Sequence, residues 1–284
     1  VFTAAPESGD TVFVVFLGIA YDVGTLVGTG VITGQTAETS IADDDLVLIY
    51  DTSATALRKM TKSNFVSGLS SDLNAFKNCL RKANLINIQD RWIGGITHVV
   101  QVGDILDRKP RGEDNSDEDS EFIIISFILK LQIESFLNGG GYHPVIGNHE
   151  LMNIMGIFDY VSNMGMRHFK TFDERKEYFR QGGDFCKYLA CGWNPVIKIN
   201  NCLFCHGGIS RNISNKYNIQ QINEIMRSKL YNKNANLYDR SFQELFYVES
   251  SILWNRDYSN NVEAEKPRIF EDVKYVLNKY NCKY

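Results

Sequence analysis

Apolar and polar positions follow two rhythms along this chain. Leu73, Phe76, Leu80 and Ala83 recur at spacings of three and four, which gathers them on one face of a helix. Ser70, Ser71 or Asp72 suits its cap. Ile96 to Val102 is instead a β-branched run and predicts a strand. Residues 121–137 are apolar on most faces, which predicts a well-buried helix broken by Gly139-Gly140-Gly141. Pro144 to Ile146 predicts a short strand, and from Glu150 a helix should turn Leu151, Ile154, Met155 and Phe158 inward. Pro195–Ile199 and Cys202–Cys205 read as two strands joined by Asn200-Asn201, followed by a helix over Gln220–Tyr231. The expected class is α/β.

The first 66 residues have another texture, with short strands and polar turns rich in Thr, Val, Gly, Ala and Ser. Leu46–Tyr50 and Leu57–Thr61 flank a polar turn at Asp51–Thr55, a hairpin signal. The expected organisation is therefore a β-rich extension over 1–66 and an α/β domain over 67–284. Ile41 to Phe65 also resembles short repeats of phage tail and virion surface proteins. A plain hairpin appended to an enzyme accounts for the same pattern.

Composition narrows the class only modestly. A net charge of −4 gives no nucleic-acid footprint. The apolar run Val12–Ala20, nine residues long, is too short to span a bilayer and lacks the basic flank of a signal peptide. Six cysteines in 284 residues do not make a disulfide scaffold, so a reducing, cytoplasmic setting is expected. Cys202 and Cys205 have the spacing of a redox pair, but in a strand they point to opposite faces and read as structural. The acidic run at 112–121 lacks the alternation of a calcium loop and reads as a solvated loop leading into a helix.

Candidate chemistry lies in three blocks: Gly-Asp-Ile-Leu-Asp-Arg at 103–108, Gly-Asn-His-Glu at 147–150 and His-Gly-Gly at 206–208. Each follows an apolar run, and strand ends are where open α/β sheets hold ligands. An Asp, an Asn and a His from three turns suit a divalent metal. The adjoining Asp, Arg and second His suit phosphate. Taken singly, Asp104 and Asp107 also suit a turn-capping pair, His149 a packing role and Arg108 a surface ion pair.

With the longer phrases at 91–108 and 196–210, the blocks resemble the calcineurin-like metallophosphoesterases, and most closely their Shewanella-like phosphatase branch. The resemblance runs from about residue 72 onward and implies an α/β sandwich. It implies two divalent ions (manganese, iron or zinc), with Asp104 bridging them and Asn148 and His206 as ligands of one. It makes Arg108 a phosphate clamp and His149 a general acid oriented by Asp107. It also places Arg256, after Ile-Leu-Trp-Asn, at a Trp-x-Arg position that faces substrate.

The sequence departs from that pattern. Gly68 and Ser70 stand where the family carries an Asp-x-His pair, Lys109 replaces a usual Gly, and no Gly-His-Thr block follows Tyr275–Tyr284. The expectation is a phosphoester hydrolase acting on a phosphoprotein or small phosphoester, impaired or truncated, with one metal or fewer bound. The alternative is a non-catalytic virion-associated or binding protein with a vestigial phosphatase domain. No nucleic-acid or membrane partner is expected.

Overall fold

The computed structural model describes residues 14–15, 46–51, 56–61, 73–107, 120–259 and 265–284. Its central sheet is parallel, in the order β1 (Val14–Val15), β4 (His98–Gln101), β5 (Gly141–Pro144). Val14 pairs with Val100, so the N-terminal segment contributes two residues to this sheet. His98 pairs with Gly141, and Gln101 with Pro144. The expected hairpin is present: β2 (Leu46–Asp51) lies antiparallel to β3 (Ala56–Thr61). A second hairpin joins β6 (Val196–Ile199) to β7 (Cys202–Cys205) through Asn200, whose φ of 52° makes the tight reversal.

The helices are α1 (Leu73–Lys82), α2 (Glu121–Leu137), α3 (Asn148–Met155), α4 (Phe172–Phe179) and α5 (Asp184–Gly192), which are followed after β7 by four more. These are α6 (Arg211–Lys216), α7 (Ile219–Tyr231), α8 (Arg240–Phe246) and α9 (Lys266–Lys279). In α1, Phe76 and Leu80 are buried as their spacing requires. The α7 start is closed by a capping box, with Asn218 Oδ1 accepting from Gln221 N and Gln221 Oε1 from Asn218 N.

Two cores result. The larger joins α1, α2, β5 and the later helices through residues such as Leu80, Ile128, Leu189 and Phe242. The smaller one, Val100, Val102, Val145 and Phe204, lies between the parallel sheet and the β6–β7 hairpin. Cys202 packs on the smaller core and Cys205 on the larger, as opposite faces of one strand require. Both are free thiols.

Two expectations need correcting. The strand before the second block is 141–144, not 144–146, because Gly141 already pairs with His98. Val145 still donates its N–H to the Gln101 carbonyl at 2.7 Å and also bridges Asn194. Helix α2 is buried along one side, through Glu121, Ile124, Ile125, Phe127, Ile128, Leu131 and Ser135, while Ile133 is 54% and Phe136 78% exposed. One side of the helix packs on β5 and α1, and its outer side does not reach the core. Next to Pro144, His143 Nε2 lies 2.8 Å from His98 Nδ1 on the neighbouring strand.

Candidate metallophosphoesterase site

The first two blocks meet through a backbone contact that only glycine permits. Gly103 has φ of +93°, and a Cβ there would stand 2.6 Å from Gly147 Cα and 3.0 Å from His206 Nδ1. Gly147 is as tightly placed, since its Cβ would meet Asp104 Oδ1 at 2.3 Å. Glu150 then fastens the two loops. Its carboxylate accepts from the N–H groups of Gly147 (2.8 Å), Asp104 (2.9 Å), Ile105 (2.7 Å) and Leu106 (3.1 Å). Burial and the nearby Asp104 charge push the Glu150 pKa up, and the N–H donors pull it back.

Asp104, with φ of 59°, sits just beyond β4 at the N-terminus of α3. Its Oδ1 accepts from His149 N at 3.1 Å, and its Oδ2 lies 3.2 Å from His206 Nε2. Asn148 Oδ1 lies 2.8 Å from the same Nε2. His206 is oriented from behind, because its Nδ1 donates to the Val102 carbonyl at 2.7 Å. That bond puts the ring proton on Nδ1 and leaves the Nε2 lone pair facing Asp104 and Asn148.

Three acceptors therefore converge on one point. Their separations of 2.8–3.2 Å are those of atoms sharing an ion at about 2.0–2.2 Å from each. One carboxylate, one amide oxygen and one imidazole form a donor set that fits a borderline divalent ion. Among the described residues no third His, Cys, Asp or Glu joins them. Burial works against a charged His206, but the Asp104 carboxylate beside it outweighs that and raises the pKa. Enclosure likewise opposes ionisation of Asp104, and His206 with His149 prevails and lowers its pKa.

Beside this set, His149 Nδ1 lies 3.2 Å from Asp107 Oδ2. Burial disfavours the imidazolium, yet Asp107, Asp104 and Glu150 together raise the His149 pKa. The Tyr160 ring meets the imidazole edge to face, centroids 5.1 Å apart. Arg256 follows a segment tied to the third block, since Gly207 N and Gly208 N both donate to the Ile252 carbonyl. Its guanidinium is exposed and donates to the Asn255 carbonyl. Arg108, Gly68 and Ser70 lie outside the described residues, as do 112–119 of the acidic run.

The family model for calcineurin-like phosphoesterases matches residues 69–277. The chain belongs to that family. Among relatives of this phosphoesterase, Shewanella-like protein phosphatase 2 of Arabidopsis thaliana is 40% identical over 240 residues, covering 69% of this chain and 58% of that one. Shewanella-like protein phosphatase 1 of Plasmodium berghei is 31% identical over 222 residues, covering 77% and 58%. A cold-active protein tyrosine phosphatase superposes with a TM-score of 0.63 at 23% identity, over 76% of this chain and 60% of its own, which shows the shared fold. The chain thus spans less than two thirds of each of these proteins. No helix among the described residues is long and apolar enough to cross a membrane.

Sequence reasoning passed over four residues of this phosphoesterase site. Glu150 stood inside a quoted block, yet its four backbone partners come from folding. Glu121 closed an acidic run read as solvated, but it is 2% exposed and accepts from Asp107 N at 2.7 Å. Asn153 and Arg175 are fully buried behind Asp107. Arg175 gave no signal, because Asp173-Glu-Arg-Lys176 reads as a solvated helix turn.

Proposed function

We propose that this phosphoesterase domain is a metal-dependent phosphomonoesterase. The observation that carries the reading is the convergence of Asp104, Asn148 and His206 beside the Asp107–His149 pair. A divalent ion held by Asp104, Asn148 and His206 would polarise a phosphoryl oxygen and make bound water a better nucleophile. Asp107 holds His149 Nδ1, so Nε2 is the nitrogen left to protonate the leaving oxygen. Asp104 Oδ1 also accepts from the His149 N–H in the first turn of α3, a helix end that favours an anion nearby. Arg108 and Arg256 are assigned to phosphate oxygens, where a planar guanidinium gives paired hydrogen bonds. The protein-phosphatase names of the relatives support a phosphoprotein as substrate.

Turnover is expected to be reduced. Gly68 and Ser70 supply neither a carboxylate nor an imidazole where the family carries Asp-x-His, so the second metal position has few protein ligands. The test is manganese titration by calorimetry alongside hydrolysis of p-nitrophenyl phosphate. The expected result is about one ion per chain and slow turnover that Asp104→Asn abolishes. Two ions with fast turnover would overturn the impairment, and neither binding nor turnover would overturn the phosphomonoesterase reading.

A further inference from the structure

Behind the Asp107–His149 pair lies a guanidinium with no access to solvent. Arg175 on α4 is fully buried. Its Nε donates to Asn153 Oδ1 at 2.8 Å, one terminal nitrogen to the Gly165 carbonyl at 2.6 Å, and the other to Asp107 Oδ1 at 3.3 Å. Glu121 Oε2 lies 3.6 Å from that last nitrogen. Phe179, Phe169 and Phe158 surround the cation, their ring centroids 4.9, 5.5 and 5.7 Å from Cζ.

A buried cation is costly unless its donors are matched. Here the matching groups are also those that hold His149. Asn153 Nδ2 donates to Asp107 Oδ2 at 2.8 Å and to the His149 carbonyl at 3.0 Å. Glu121 Oε1 accepts from the backbone of Asp107, whose φ of 69° is one that few L-residues adopt. A carboxylate touching only His149 could rotate about its side-chain torsions. Arg175 takes one oxygen and Asn153 the other, so a single carboxylate orientation faces the imidazole.

We propose that Arg175 is a positioning residue for His149, acting through Asp107 and Asn153. Its fork, more than its charge, sets the direction of the Asp107 carboxylate and so the aim of His149 Nε2. The idea rests on the proposed phosphomonoesterase reading for its catalytic consequence and on geometry alone for the positioning.

The test uses 15N-histidine NMR of the full chain. His149 Nδ1–H should give a hydrogen-bonded imidazole resonance, and His206 Nδ1–H, held by the Val102 carbonyl outside the network, supplies an internal reference. Arg175→Lys keeps the charge and loses the fork, so the His149 resonance should broaden or vanish while the His206 resonance remains. Asn153→Ala should do the same, and it keeps the test open should the Arg175 variant fail to fold. Retention of the His149 resonance in a folded variant, or joint loss of both resonances in both variants, overturns the proposal. With manganese, the rate ratio of p-nitrophenyl to phenyl phosphate should rise at least about tenfold in Arg175→Lys, because a poor leaving group depends most on the acid. A uniform fall across both substrates would mark Arg175 as structural. A wild-type chain that hydrolyses neither would count against the functional reading, with the resonances still deciding the positioning.

Discussion

The Nδ1–H of His206 donates to the main-chain carbonyl of Val102 at 2.7 Å. An imidazole from the third block is thus aimed by the backbone that introduces the first. The contact spans 104 residues of sequence and fixes which nitrogen faces Asp104 and Asn148.

His206→Ala removes both that bond and a proposed metal ligand. Manganese affinity should fall by more than about a hundredfold, beyond the roughly 10–100-fold loss typical of an outer-shell partner. Calorimetric titration measures it. Unchanged affinity would mean that the ion binds elsewhere.

Glu150→Gln puts an amide where a carboxylate accepts four N–H groups. One of its atoms becomes a donor facing donors, which costs on the order of 2–3 kcal/mol for buried groups. Urea unfolding should show that loss, and manganese affinity should fall with it because Asp104 is held by the same clamp. A stable variant with normal metal binding would show that the two loops need no carboxylate between them.

Gly103→Ala tests the close approach of the blocks. The new methyl would stand 2.6 Å from Gly147 and in a left-handed conformation. About 2–4 kcal/mol of destabilisation is expected, combining backbone strain with forced repacking. Thermal melting reads it, and a shift of under a degree would contradict the packing of the two turns.

The His98–His143 pair sets an acid limit on stability. Burial first, then the neighbouring His98, pushes the His143 pKa down from 6.5 to about 4. The unfolded chain therefore binds the proton more readily, and stability is complete above pH 6.5 and declines as pH falls from 6.5 towards 4. After discounting for partial exposure, His143 should contribute about 1–2 kcal/mol of that decline. Denaturant titrations at several pH values should show it, and His143→Gln should flatten the slope in that window. An unchanged slope would assign the acid sensitivity to other groups.

Local order was legible wherever a single rhythm dominated. Spacings of three and four marked α1, a β-branched run marked β4, and the polar turn at 51–55 marked the first hairpin. Residue type and order also brought out Asp104, Asn148, His149 and His206, because metal-type side chains after apolar runs are locally visible. Tertiary structure alone decided the rest. The buried face of α2 follows from which neighbours reach it, and a helix apolar all round carries no directional signal. The strand feeding the second block starts at Gly141 because pairing with β4, a non-local hydrogen-bond ladder, outweighs the glycine run as a helix breaker. Glu121, Asn153 and Arg175 look like ordinary polar helix residues until the chain closes around Asp107. Burial of a charge is paid for by partners 22 and 68 residues away, and a linear pattern holds no record of partners that distant.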